Sequence, residues 1–197
     1  MAPLLLLALT LSSGPEAAAA RLKTPPPTSA SVAPERPAAE VAEEVRSLLG
    51  AIDTPIAPAR WRALGAAARA TLEQLVADGA QLPSRRAKAL DALAALGGPA
   101  DVPAFLALAL DEAQPVVVRL AAVRAVGATA ARGSLGQALR PALEGAGDSR
   151  IGAAAAQVVV AAEPGACGAL EARVKAEDPA VRGQFEAAAR ACGWPER

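Results

Sequence analysis

The sequence contains no histidine and no tyrosine, and its aromatic content is two phenylalanines and two tryptophans. Without histidine the chain lacks the commonest general base near neutral pH and the commonest metal ligand. Neither a Ser-His-Asp triad nor a Cys-His pair can be assembled within it. Glycines are present, but none falls in a phosphate-binding loop of the P-loop or dinucleotide type. Lysine is confined to Lys23, Lys88 and Lys175. Neither charge sign is in excess: 20 basic and 20 acidic residues give a formal net charge of zero. Such a chain exerts little long-range attraction on nucleic acid or an anionic membrane surface. The acid pairs Glu43-Glu44 and Asp111-Glu112 occupy adjacent positions, which face different ways on a helix. They read as solvated surface rather than acid/base machinery. The expectation is a protein with no catalytic site, cofactor, metal or nucleic-acid partner.

Hydrophobic residues make up 53% of the chain, and many of them are alanine. Alanine is the best helix former, and small side chains let helix axes approach closely. Strands favour β-branched and aromatic residues instead. Composition therefore predicts an all-α fold.

Residues 1–20 read as a signal peptide. An apolar run from Pro3 to Leu11 has the length of a signal-peptide core, and Ala18-Ala19-Ala20 fits a small-residue cleavage site. The run is far short of the roughly 20 residues that span a bilayer, so no stable membrane insertion is expected after cleavage. Residues 21–37 carry Pro25, Pro26, Pro27, Pro34 and Pro37 among Ser, Thr and Ala. This composition reads as a Pro-rich linker. The expected location is export to the periplasm or the extracellular space.

From Ala38 onward, apolar residues recur at helical spacing between Gly, Pro and Asp punctuation. The pattern predicts helices over 38–49, 57–78, 84–96, 101–112, 115–127, 134–143, 149–162, 166–176 and 179–192. Gly65 is expected to bend the second, and Pro141 to kink or shorten the sixth. Ser84 and Asp101 are the predicted N-caps of their helices. Leu96-Gly97, Val126-Gly127, Val158 and Ala189 recur at intervals of about 30–32 residues, a period typical of stacked supersecondary units.

The best copy of the repeat is Pro115-Val116-Val117-Val118-Arg119-Leu120-Ala121-Ala122-Val123-Arg124-Ala125-Val126-Gly127. Asp178-Pro179-Ala180-Val181-Arg182 opens the last copy, Asp148-Ser149-Arg150 a middle one, and Ala92–Gly97 matches by its tail. These residues resemble the short HEAT-like repeats associated with phycobilisome lyases, in which a Val-Arg pair opens a helix ending in Ala-Leu-Gly. The resemblance covers residues 84–193. It implies a short right-handed α-solenoid of stacked antiparallel hairpins over 84–197, with helices of 38–83 capping its N-terminal end. It says little of function, because such repeats serve as lyases, scaffolds and adaptors alike.

Arg119, Arg150 and Arg182 fall in the first turns of alternate predicted helices. They read as a structural ladder tying turns to Asp111, Asp148 and Asp178; the competing reading is an anion-binding row. Trp61 and Trp194 flank the repeats and read as end caps or as anchors for a partner. Cys167 and Cys192 are the two cysteines. If 166–176 and 179–192 form a hairpin, both thiols point to its shared face, and export permits a disulfide; the alternative is two buried free thiols. The functional expectation is an exported interaction or scaffold module that binds an unidentified protein. A structural subunit of an envelope assembly is the runner-up. A chromophore-lyase-like enzyme is disfavoured by the missing histidine and tyrosine and by export.

Overall fold

The computed structural model describes residues 36–51, 55–145, 147–168, 170–171 and 182–193. The expected signal peptide, most of the Pro-rich linker, Lys175, Asp178 and Trp194 lie outside these residues. From Arg36 onward the chain forms one compact unit. Among the described residues there is helix and no strand, so the all-α expectation holds.

Eight α-helices are described: α1 (Ala38–Gly50), α2 (Pro58–Ala77), α3 (Pro83–Leu96), α4 (Val102–Leu110), α5 (Val116–Thr129), α6 (Leu135–Glu144), α7 (Ser149–Ala162) and α8 (Glu186–Ala191). Helix α1 buries Val41, Val45 and Leu49, spaced to lie on one face, and packs on α2 and α3. Helices α3, α5 and α7 pack in series. Each also packs on the helix before it: α2 on α3, α4 on α5, and α6 on α7. Helix α5 packs on α3, α4 and α7 and leaves Val117, Arg124 and Ala128 exposed, which explains its sequence. It is apolar nearly all round, and Val118, Ala121, Ala122, Val123, Ala125 and Val126 are buried.

Several local expectations are corrected. Helix α3 starts at Pro83, one residue before Ser84, and Leu82 occupies the cap position. Proline suits that first position because its missing N–H has no partner there anyway. Asp101 precedes α4 but makes no cap bond to it; its carboxylate accepts from Gly98 N–H at 2.9 Å instead. Helix α5 does not stop at Gly127 but runs to Thr129. Gly127 is there for contact: a Cβ on it would lie 2.4 Å from Val158 Cγ1 of α7. Gly65, by contrast, meets its expectation. Its φ of 69° interrupts α2, a conformation only glycine adopts freely. Helix α6, with Pro141 inside it, is 10 residues long.

The boundary expected at 83/84 falls within a helix pair. Helix α2 belongs with α3, and their turn repeats the turn between α4 and α5. The repeat is also longer than the predicted interval. Equivalent positions in successive pairs, such as Asp91 of α3 and Arg124 of α5, lie 33 residues apart. The 30-residue spacing of Leu96-Gly97 and Val126-Gly127 compares the end of α3 with a point inside α5, which runs on to Thr129.

Candidate functional site

Two turns are built alike. Asp78 accepts from Ala80 N–H and from Gln81 Nε2, both at 2.9 Å. Asp111 accepts from Ala113 N–H at 3.0 Å and from Gln114 Nε2 at 2.9 Å. The glutamine bond, followed by the backbone N–H, holds each carboxyl below its ordinary range. Each turn is then clamped by an arginine on the following helix. Arg86 Nε donates to Val76 O at 2.8 Å, and Arg119 Nε donates to Ala109 O at 3.0 Å. Both arginines reach back 10 residues, and both are 6% exposed. Arg86 also donates from Nη2 to Gln114 Oε1 at 2.7 Å, which ties the first turn to the second. Each guanidinium thus satisfies a helix-end carbonyl that would otherwise lack a partner.

The ladder is therefore Arg86 and Arg119. Arg150 forks onto Asp148, the partner expected for it, with Nε at 2.9 Å from Oδ1, but the pair is exposed, whereas Arg119, expected at Asp111, donates to Ala109 O instead. Arg150 stands second in α7, whereas Arg86 and Arg119 stand fourth in α3 and α5; Asp148 also caps α7, accepting from Arg150 N–H at 2.9 Å. That arginine bonding holds the Asp148 carboxyl down at about 2. The position equivalent to Arg86 and Arg119 in α7 is Gly152. A Cβ there would lie 3.5 Å from Ala142 O and 3.5 Å from the Phe185 ring, so an aromatic edge fills the place of a guanidinium. Arg182 is exposed, and Asp178 lies outside the described residues. Arg86 escaped the motif because no valine precedes it. The legible signal was the recurrence of Asp78-Gly79-Ala80-Gln81 as Asp111-Glu112-Ala113-Gln114.

Other charges link neighbouring pairs. Arg124 Nη2 donates to both oxygens of Asp91, at 3.1 and 2.9 Å, across α5 and α3. Arg69 of α2 forks onto Asp101, with Nη1 at 3.3 Å from Oδ2. This pairing, joined by the Gly98 N–H, lowers the Asp101 carboxyl. Lys88 Nζ donates to Ala51 O at 2.8 Å and closes the C-terminal end of α1. Of the acid pairs, Glu43 is exposed as expected, but Glu44 is held by Arg36 and Arg60, with Arg36 Nη1 at 2.6 Å. These groups bond to one another and to turn backbones; they do not converge on a common point. Among the described residues no cluster of His, Cys, Asp or Glu could hold a metal ion.

Trp61 is 5% exposed and packs in the main core with Leu64 and Ala68. That burial corrects the anchor reading: the indole presents almost no surface to a partner. Cys167 and Cys192 are joined as a disulfide with their Cα atoms 5.7 Å apart, which excludes the free-thiol alternative in this structure. No described helix is long and apolar enough to cross a membrane.

No family model matches the chain, and no curated protein or solved structure matches it either.

Proposed function

We propose that this chain is an exported, HEAT-like α-solenoid that binds a protein partner along its α3–α5–α7 row and uses no cofactor. The observation that carries this reading is the recurring arginine-clamped turn. One turn design, used twice at the interval of 33 residues that separates Asp91 from Arg124, sets successive helix pairs side by side in one register. Stacked pairs bury a continuous core while leaving one outward row on every unit, and such rows make extended binding surfaces. Here the row displays Ser84, Val117 and Arg150 near the turns and Asp91, Arg124 and Gln157 farther along, all exposed. Arg124 pairs with Asp91 and Arg150 with Asp148, and Ser84 and Val117 are short, which suits a broad protein contact rather than a small-molecule pocket.

The test is affinity capture with the tagged, oxidised full-length chain from an envelope fraction of the source cells. One stoichiometric protein is expected. Charge reversal at Arg124 together with Val117→Asp should lower its recovery without altering helix content. Equal capture by that variant, or no captured protein, would overturn the reading. N-terminal sequencing of the cell's own protein addresses export, and a start near Arg21 is expected.

A further inference from the structure

We propose that the edge formed by the α2–α3 and α4–α5 turns takes a protein segment carrying basic and apolar side chains. The inference rests on the reading that this chain binds protein along its α3–α5–α7 row, and it adds the chemistry of what docks at the turn end of that row.

Among the described residues, the large apolar side chains that stand exposed are Leu82, Leu110 and Val117, with Leu82 the most open at 70%. Single exposed apolar side chains are ordinary on a protein surface, whereas a group of them marks an interaction site. The turns group these three. Leu110 ends α4 and Val117 lies in the first turn of α5, on either side of the turn that Arg119 clamps through Ala109 O. Leu82 caps α3 at the neighbouring turn, and its carbonyl accepts from Arg86 N–H at 3.0 Å. The Arg86 side chain donates to Gln114 Oε1 at 2.7 Å, so one residue ties Leu82 to the turn between Leu110 and Val117. The clamps use backbone carbonyls and a glutamine, and leave all three apolar side chains free of that work.

The outward charge of this edge has one sign. Segments 77–84 and 110–118 contain Asp78, Asp111 and Glu112 and no lysine or arginine. All three acidic residues are exposed, whereas Arg86 and Arg119 lie buried beneath, with their Nε atoms on helix carbonyls. Glutamine and backbone bonds keep Asp78 and Asp111 ionised below the ordinary carboxyl range. The next cations along the surface are turned elsewhere: Arg85 Nη2 donates to Arg46 O at 3.4 Å, and Arg150 is forked onto Asp148.

Apolar side chains fringed with carboxylates select their occupant. A second copy of this edge would set carboxylates against carboxylates, and an anionic bilayer would be repelled in the same way. A segment with lysine or arginine among apolar residues meets both features at once. The turns that present the site are already fixed by their clamps, so little ordering is left to oppose binding.

Two fluorescein-labelled peptides, titrated with the oxidised full-length chain and read by anisotropy, test this. One is a short amphipathic peptide of leucine and lysine; the other has glutamate in place of every lysine. The lysine peptide should bind, more weakly as salt rises, and the glutamate peptide should not. Leu82→Ser/Val117→Ser should weaken binding of the lysine peptide at least about tenfold, and Glu112→Gln about twofold. These side chains are exposed, so far-UV circular dichroism of the variants should match the parent. Equal binding by parent and double variant, or equal binding of the two peptides, would overturn the inference. So would a dimer in sedimentation that the double substitution disperses, which would give the edge to a second copy. Failure here is distinct from failure of the row: capture that still depends on Arg124, with peptides that do not discriminate, keeps the row and removes the edge.

Discussion

Gly127 and Gly152 both sit inside helices, yet replacing each with alanine should have opposite effects. Alanine in a helix interior is favoured over glycine by about 1 kcal/mol, through lost backbone freedom in the unfolded chain. At Gly152 that gain is available, because the new Cβ would meet Ala142 O and Phe185 Cζ at 3.5 Å, ordinary van der Waals contact. Gly152→Ala should therefore stabilise by about 0.5–1 kcal/mol. At Gly127 the new Cβ would lie 2.4 Å from Val158 Cγ1, well inside contact distance. Valine is stiff at χ1 in a helix, so it cannot simply turn away. Either its rotamer or the α5–α7 spacing must change, and overpacking of this kind costs about 1–3 kcal/mol. Set against the propensity gain, Gly127→Ala should destabilise by up to about 2 kcal/mol. Each kcal/mol corresponds to about 2–4 °C in a chain of this size. Thermal melts followed by far-UV circular dichroism should place Gly152→Ala above the parent and Gly127→Ala below it. Adding Val158→Ala to Gly127→Ala should recover part of the loss, a coupling that distant sites do not show. Were Gly127→Ala to melt at or above the parent, with no coupling to Val158, the close approach of α5 and α7 would be refuted.

Arg119→Ala should cost about 2–3 kcal/mol in urea unfolding, because a buried charged donor to Ala109 O is lost. Arg150→Ala, at the exposed pair with Asp148, should cost no more than about 1 kcal/mol. Equal costs would dissolve the distinction between the clamp and the surface fork. Asp148 has its carboxyl held at about 2, below the ordinary 3.8, so its contribution to stability is whole above the ordinary value and fades as pH falls through 2. Melting temperature should accordingly drop more steeply below about pH 4 for the parent than for Asp148→Asn; parallel curves would remove that linkage. Trp61→Ala should cost about 3–5 kcal/mol, as truncation of a buried aromatic does. An unchanged urea midpoint would contradict its place in the core.

The helices were legible because their determinants are local. Apolar spacing set the faces, as with Val41, Val45 and Leu49, and Pro and Gly marked most ends. Alanine richness with few aromatics excluded sheet in favour of closely packed helices. The Asp-x-Ala-Gln turns were also written plainly at 78–81 and 111–114, though their value as a repeat marker emerged only with Arg86 and Arg119 beside them. The disulfide was one of two readings open in the sequence, since a predicted hairpin turns both cysteines to its shared face and leaves two buried thiols as the alternative.

What the sequence determined by itself was helix content, approximate helix limits, the lack of histidine chemistry and the pairing open to the two cysteines. Only tertiary structure decided why Gly127 is a contact and not a stop, because that depends on Val158, which belongs to another helix. It also decided that Arg86 clamps a turn while Arg150 does not. Arg86, fourth in α3, reaches a carbonyl 10 residues back, whereas Arg150, second in α7, meets a carboxylate 2 residues back. Burial of Trp61 and the division of α7 between two apolar clusters were likewise settled by packing. Each depends on which surfaces meet in space, and helical periodicity names the inward face of a segment without naming what lies against it.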